Sequence, residues 1–296
     1  MKPTSLLSRI KYKYRMWYYG RMDEAQYPQA LKRKYRRRMR ETLNLEHPRK
    51  LSEKIQWLKL YDNTPLKTTL ADKYLVRQWV ADTIGAEYLI PLLGVWSDAN
   101  DIDFDTLPER FVLKANHGSK FNIIVRDKSK LNLTKTRKTL NHWLKYNYTF
   151  IQGKFELYYK DIKPLITAEE YIENIDNDLV DHKFFCFHGS PKYYSVISDR
   201  ATSIKTATYD INFVKQPFML LPGESFDFEK PESFEKMLSI VETLCQGFKH
   251  VRVDLYDVKG KIYFGEMTFT SGSGFRKIRP IEYDYMLGDL IKISET

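Results

Sequence analysis

The chain has 296 residues, of which 43% are hydrophobic and 29% charged, a soluble globular composition long enough for one large domain or two or three lobes. Its formal net charge is +10, but the excess is local: residues 1–50 hold 15 Lys+Arg against 4 Asp+Glu (+11), and the remaining 246 hold 33 against 34 (−1). No run of about 18 apolar residues occurs, which excludes a spanning helix; the opening MKPTSLLSRIKYKYRMWYYGR has no unbroken apolar stretch of the secretory kind. Two cysteines, Cys186 and Cys245, argue against a disulfide framework and suit a reducing cytoplasm, the expected location.

In chain order, Leu7, Ile10, Tyr14 and Trp17 fall at helical spacing, with Arg9, Lys11, Lys13 and Arg15 around them. A second helix is expected through LKRKYRRRMRETL. Basic residues interleaved with aromatics suit an anionic membrane surface; the competing reading is a helix that packs its apolar stripe on the body and leaves a solvated basic face. Nucleic acid is not expected, because no reader motif accompanies the charge.

HPRKLSEKIQWLKLYDN predicts a helix with Ile55, Leu58, Leu60 and Trp57 toward the core. TPLKTTLADKYLVRQWVADTIGAEYLIPLLGVW reads as a loop, a helix from about Asp72, and a strand near YLIPLLGVW. LPERFVLKANHGSKFNIIVRD reads as strand, glycine loop and strand. A helix around TRKTLNHWLKYN follows, then strands at PLITAEEYIE and DHKFFCFHG, an amphipathic helix at SFEKMLSIVETLCQGF, and a hairpin VRVDLYDVKGKIYFGEMTFTSGSG turning at Val258-Lys259-Gly260. Hairpins without a regular βαβ rhythm point to an α+β fold with antiparallel sheets.

The chemistry-bearing residues sit on these strands. Lys114 ends an apolar strand before Gly118-Ser119, where a glycine lets backbone N–H groups approach phosphate and a strand-anchored lysine supplies fixed positive charge. ITAEEYIE places adjacent carboxylates in a β run, costly unless they are paired or ligand-bound. His182, Cys186 and His188 invite a zinc reading, but no fourth ligand is evident. In the hairpin, Asp254 and Glu266 can converge on Mg²⁺, a hard cation that keeps phosphate or water ligands. Arg252, on the face of Asp254, can clamp a phosphate or an oxyanion. A cross-strand salt bridge would explain the arginine and one acid only.

Taken in order, these pieces resemble an ATP-grasp ligase. The hairpin RVDLYDVKGKIYFGEMTFTSGSG is similar to R-x-D, a strand turn with a glycine, then E-x-N-x-x-P-G, as in D-alanine–D-alanine ligases. ADKYLVRQWVADTIGAEYLIPLLGVW, FVLKANHGS and AEEYI resemble the segments of the central lobe and of the adenine-holding stretch. KLSEKIQWLKLYD, LADKY, FVLKANHGS, DHKFFCFHG and VRVDLY…GKIYFGEMTF are closer still to the TupA-like ATP-grasp group, associated with teichuronopeptide and other bacterial surface polysaccharides. That resemblance runs from about residue 45 onward.

The resemblance implies an ATP-grasp fold with nucleotide held between two lobes, plus a basic helical N-terminal arm. It implies ATP and Mg²⁺ as cofactors. Lys73 and Lys114 would contact the phosphates, and the Gly118-Ser119 loop would close over them. Glu169 and the backbone of Glu170, Tyr171 and Ile172 would hold adenine, Asp181 the ribose, and Lys183 a phosphate. Asp254, Glu266 and Thr268 would bind the metal, and Arg252 would stabilise the tetrahedral intermediate. Thr268 stands where the family has Asn, and Ser271 replaces the proline. The expected division is residues 1–50 for the arm, 51–110 for the N-terminal lobe and entry to the central one, 111–168 for the central lobe with the glycine loop, and 169–296 for the C-terminal lobe with the metal site. The expected activity is Mg-dependent ligation of a carboxylate, a uronic acid or an amino acid, to an amine. The arm would dock at the inner face of the membrane. A sugar phosphotransferase and a degenerate binding scaffold are the alternatives.

Overall fold

The computed structural model describes residues 6–151, 153–172, 180–198 and 203–293. It divides into two compact units, one of Met1–Leu31, Asn63–Gln78 and Ile90–Tyr171, the other of Lys32–Asp62, Trp79–Leu89 and Ile172–Thr296. The arm expected over residues 1–50 is therefore shared between the units, whereas residues 111–168 lie wholly in the first. The helices are α1 (Leu6–Gly20), α2 (Tyr27–Met39), α3 (Leu51–Tyr61), α4 (Pro65–Ala71), α5 (Val76–Thr83), α6 (Leu133–Trp143), α7 (Tyr148–Ile151), α8 (Phe234–Leu244) and α9 (Ile281–Asp289). The strands are β1 (Leu92–Trp96), β2 (Phe111–Ala115), β3 (Asn122–Val125), β4 (Ile166–Glu170), β5 (Asp181–Phe187), β6 (Ser190–Ser198), β7 (Lys205–Asp210), β8 (Glu224–Ser225), β9 (His250–Val258) and β10 (Lys261–Thr268).

The first unit is built on an antiparallel sheet in the order β1-β4-β2-β3. Along β2, Phe111, Leu113 and Ala115 are buried while Val112 and Lys114 are half-buried, as the period-2 pleat requires. Leu140 and Trp143 of α6 join the buried cluster of those three residues, and Phe121 stacks on Trp143 with centroids 5.4 Å apart. Burying a side chain such as Leu140 contributes roughly 1.5–3 kcal/mol.

Helix α1 packs on this unit by a face other than that of Ile10, Tyr14 and Trp17. Tyr12 meets Tyr146 edge-on at 5.7 Å, Met16 joins the core cluster and Tyr19 meets Phe155 at 5.3 Å. Of the stripe read from the sequence, Ile10, Tyr14 and Trp17 are 55, 59 and 54% exposed; Leu7 lies on α1, but its side chain is outside those described. The helix is aromatic on several sides, so periodicity alone does not say which side is buried.

The second unit carries a six-stranded sheet in the order β10-β9-β5-β6-β7-β8, antiparallel except for the short β7/β8 pair. All seven residues of β5 are buried. Phe184 packs on Phe234 of α8, and Phe185 and Phe187 share a cluster with Leu51, Ile55 and Leu58 of α3. A strand sandwiched on both faces tolerates Asp181 and Lys183 only as part of a paired network.

Three local expectations change. The loop expected at TPLKTT is α4, capped by Thr64 Oγ1 accepting from Lys67 N at 3.3 Å with Pro65 in the first turn. The helix expected from Asp72 starts at Val76, because the Asp72 carboxylate accepts from Tyr74 N and Leu75 N and holds a turn first. Strands β6 and β7, not among the expected elements, carry runs of buried residues at 194–197 and 206–209.

Candidate active site

In the first unit, Lys114 on β2 and Glu169 on β4 are diagonal neighbours on one sheet face and form an ion pair. The other Glu169 oxygen lies 3.5 Å from Arg77 Nη1, while Arg77 Nη2 donates to Ile90 O at 2.8 Å. Glu169 is therefore held between two cations at 8% side-chain exposure, which resolves the cost of a buried acid. Glu170 is exposed and Tyr171 half-buried under Arg110, whose guanidinium lies 4.4 Å from the ring centroid. The unit boundary falls between Tyr171 and Ile172.

The glycine loop leaves β2 through Asn116 and His117. Asn116 Nδ2 donates to Asp72 at 2.9 Å and to Lys163 O, and its Oδ1 accepts from Leu165 N at 2.7 Å, tying three segments together. His117 is buried with Nε2 3.1 Å from Trp143 O, and burial lowers its pKa to about 4. Lys73 Nζ donates to Gly118 O at 2.6 Å, so the lysine read as a phosphate ligand anchors the loop itself. A Cβ at Gly118 would stand 2.6 Å from Tyr148 Cδ2 and 3.0 Å from Phe121, a space only glycine fills. Beyond it Ser119 and Lys120 are exposed.

In the second unit the hairpin gathers the remaining candidates. Counting from Lys261 opposite Val258, regular pairing would set Glu266 against Val253, on the face away from Asp254. A bulge at Gly265 inserts one residue and sets Glu266 opposite Asp254 and Thr268 opposite Arg252. A Cβ at Gly265 would lie 2.9 Å from Asp254 O, so glycine fits the bulge.

Arg252 grips Asp254 bidentately, Nε to Oδ1 at 2.6 Å and Nη2 to Oδ2 at 2.7 Å. The same Nη2 reaches Glu266 Oε1 at 3.1 Å and Thr268 Oγ1 at 3.0 Å, and Nη1 reaches Ser271 Oγ at 3.3 Å. Lys183, opposite Asp254 on β5, pairs with it and lies 3.5 Å from Asp181. Burial pushes the Lys183 ammonium below its usual range, against the pull of Asp254. Asp181, read as a ribose ligand, is a buried member of this ion cluster.

The residues read as zinc ligands are turned to other partners. His182 Nδ1 lies 2.8 Å from Tyr194 Oη, with burial lowering its pKa to about 4. His188 Nε2 accepts from Lys292 N at 2.8 Å, and the Cys186 thiol is buried.

Two residues that sequence reasoning missed hold the Gly/Ser loop after β10. Gln56 Nε2 donates to Gly274 O at 2.7 Å and to Ser273 O at 3.1 Å. Lys59, fully buried, donates to Ser273 O at 3.0 Å and sits 4.6 Å from the Phe275 centroid. Both fall on the face of α3 that carries Ile55, so polar residues inside an apolar stripe were the available signal.

A divalent cation fits this chemistry. Arg252 Nη2 already places one positive group between the two carboxylates, and a metal would take over that position with Asp254, Glu266 and Thr268 as oxygen donors. Among the described residues no group of three or more His, Cys, Asp or Glu could hold a metal. Two carboxylates and a hydroxyl suit Mg²⁺, which takes one or two carboxylates and completes its shell with phosphate and water.

The family model for TupA-like ATP-grasp proteins matches residues 53–292. No curated protein matches the chain. Similar solved structures include a D-alanine–D-alanine ligase from Bacillus anthracis complexed with ATP, at 16% identity over 68% of this chain and 54% of that one, TM-score 0.41. Another is the D-alanine–D-alanine ligase from Helicobacter pylori, at 12% identity over 82% of this chain and 69% of that one, TM-score 0.48. A third is the ATP-grasp ligase PsnB complexed with minimal precursor, Mg and ADP, at 12% identity over 82% of this chain and 67% of that one, TM-score 0.41. The chain spans 54–66% of the two Bacillus anthracis ligase chains it is similar to.

Proposed function

Because the chain belongs to the TupA-like ATP-grasp family, with an α+β ATP-grasp fold, we propose that it joins a carboxylate to an amine at the expense of ATP. The observation that carries this reading is the bulge-aligned cluster of Arg252, Asp254, Glu266 and Thr268. A carboxylate is a poor acyl donor because its oxygen leaves badly. Attack of that oxygen on the γ-phosphorus of ATP releases ADP and leaves an acyl phosphate; the amine then attacks the carbonyl carbon, phosphate departs and the amine loses a proton.

Lys114 neutralises phosphate charge, exchanging its contact with Glu169 for one with the nucleotide, and Lys73 holds the Gly118 loop for closure. Glu169 and the backbone of Glu170, Tyr171 and Ile172 receive adenine. Asp254, Glu266 and Thr268 would hold Mg²⁺, which supplies charge neutralisation at the phosphates. Arg252, once displaced from Asp254, is a strand-anchored donor for the carbonyl oxyanion. Lys183 and Asp181 keep Asp254 oriented from the neighbouring strand, and the ribose role of Asp181 requires it to leave that cluster.

The test is a thermal shift of the full chain with Mg-ATP. Nucleotide at 100 times Kd adds about 2.7 kcal/mol of stability, and Lys114→Ala and Glu266→Gln should both reduce the shift. ADP release that depends on both an acid and an amine then identifies a ligase. A stable phosphorylated product without amine would identify a phosphotransferase, and absence of any shift would remove the nucleotide reading.

The acid is proposed to be a uronic acid or amino-acid group of a surface-polysaccharide precursor. The arm is proposed to lie on an anionic bilayer. The support is the outer face of α1, where Ile10, Tyr14, Trp17 and Tyr18 are 55, 59, 54 and 41% exposed beside exposed Lys11 and Lys13. No helix among the described residues is long and apolar enough to cross a membrane. Co-sedimentation with phosphatidylglycerol vesicles, lost in Tyr14→Ser/Trp17→Ser, would support docking; equal pelleting of wild type and variant would refute it.

A further inference from the structure

The second unit contains an open cavity of about 770 Å³ to which none of the roles above assigns a ligand. Its walls are the loop from Lys215 to Ser225 and the segment Arg276–Arg279 that follows the Gly/Ser loop. The charged residues lining it are Lys215, Arg276, Lys277 and Arg279, with no carboxylate in the wall among the described residues. Lys215 sits with Asp227 at 2.6 Å, and neither partner is buried. Arg276, Lys277 and Arg279 have no carboxylate partner among the described residues.

Arg276 is the informative member. It is half-buried, and its Nε lies 3.9 Å from where a Gly272 methyl would stand. The loop that carries Gly272 begins at Ser271, the residue Arg252 contacts. Burial and the positive charge of Arg252 lower the Arg276 pKa to about 10. Arg252 has Asp254 and Glu266 to offset its charge, whereas no ion pair offsets the half-buried Arg276 among the described residues, so an anion entering the cavity is favoured there. Concentrating cations in a concave wall also focuses the field onto a ligand entering it. A lone surface arginine would gain nothing from that placement.

We propose that this cavity binds the ligase's acid or amine substrate through a polyanionic group carrying at least two negative charges, with Arg276 as its principal contact and Lys277 and Arg279 at the rim. The proposal rests on the ligase reading and deepens it by naming the substrate's charge. Diphosphate and polycarboxylate share the required chemistry, and the cavity volume accommodates either on a larger sugar or peptide body.

The experiment is isothermal titration of the full chain with pyrophosphate and, separately, with citrate, at low and at raised salt. Wild type, Arg276→Gln, Lys277→Gln/Arg279→Gln and Lys114→Ala are compared, with Mg-ATP thermal shift as the control. At least one probe should bind wild type, more weakly as salt rises, and Arg276→Gln should weaken it at least tenfold while leaving the Mg-ATP shift unchanged. The rim double variant should weaken it less. Preference between the probes distinguishes a diphosphate-bearing from a carboxylate-bearing substrate. Binding lost in Lys114→Ala but intact in Arg276→Gln would place the probe at the nucleotide residues and overturn the proposal, as would no binding of either probe. Loss of the Mg-ATP shift in wild type would instead fault the ligase reading.

Discussion

Asp254 is the keystone of the second unit's ion cluster, and its neutralisation is the sharpest test of how that cluster is built. Asp254→Asn keeps the shape and removes the charge that Arg252 grips at 2.6 and 2.7 Å and that Lys183 pairs with. Breaking a buried pair by removing one partner costs about 3–5 kcal/mol, because a cation is left without compensation. Glu266 remains 3.1 Å from Arg252 and Asp181 remains 3.5 Å from Lys183, which places the expectation at the lower end, about 3 kcal/mol. With an unfolding entropy of roughly 2.1 cal/mol/K per residue over 296 residues, that corresponds to a Tm lower by about 5 °C. The assay is calorimetric or fluorescence melting of wild type, Asp254→Asn, Lys183→Met and the double variant. Lys183→Met removes the orphaned ammonium, so the double variant should be more stable than Asp254→Asn alone, with a coupling above about 1 kcal/mol. A fall in Tm below 1 °C for Asp254→Asn, or strict additivity in the cycle, would refute the account of Asp254 as a shared counter-ion.

Further outcomes follow from the same geometry. Gly118→Ala should cost about 1–3 kcal/mol and blunt the response to ATP, since its methyl stands 2.6 Å from Tyr148; partial recovery in Gly118→Ala/Tyr148→Ala, read by melting and ATP titration, checks the cause. Lys59→Met should fold with stability within about 1 kcal/mol of wild type, because an apolar chain of similar length fills the site, yet lower turnover at least tenfold by freeing the Ser273 loop. His117 and His182 have pKa values lowered by burial to about 4. The unfolded chain therefore binds more protons between about pH 6.5 and 4, so their contribution is complete above pH 6.5 and is lost as pH falls to 4. The maximal slope is about 1.4 kcal/mol per pH unit per histidine, and urea titrations of His117→Asn against wild type should show the slope reduced by one such step.

Much of the architecture was legible in local patterns. Alternation marked β2 through its buried Phe111, Leu113 and Ala115, and amphipathic spacing marked α6 and α8. Turn chemistry at Lys259-Gly260 marked the last hairpin. These signals depend on neighbours a few residues apart, so the chain carries them without its fold. The order of lysine, glycine loop, paired carboxylates and R-x-D likewise identified the family from the linear chain, and α4 carries its own local signal in the Thr64 cap and Pro65.

What remained was decided by contacts between distant segments. Simple alternation from the hairpin turn puts Glu266 on the wrong face; only the bulge at Gly265 sets it against Asp254, and a bulge has no period to read. The packed side of α1 was chosen by Tyr146 and Phe155, more than a hundred residues away in the chain, which left Ile10, Tyr14 and Trp17 to solvent. Lys59 and Gln56 became holders of the Ser273–Gly274 loop because burial on α3 required partners that the loop's carbonyls supply. Residue type and spacing dictate which helices and strands can form, since those are short-range energies; which polar groups must meet is settled by burial, and burial exists only once the chain has folded.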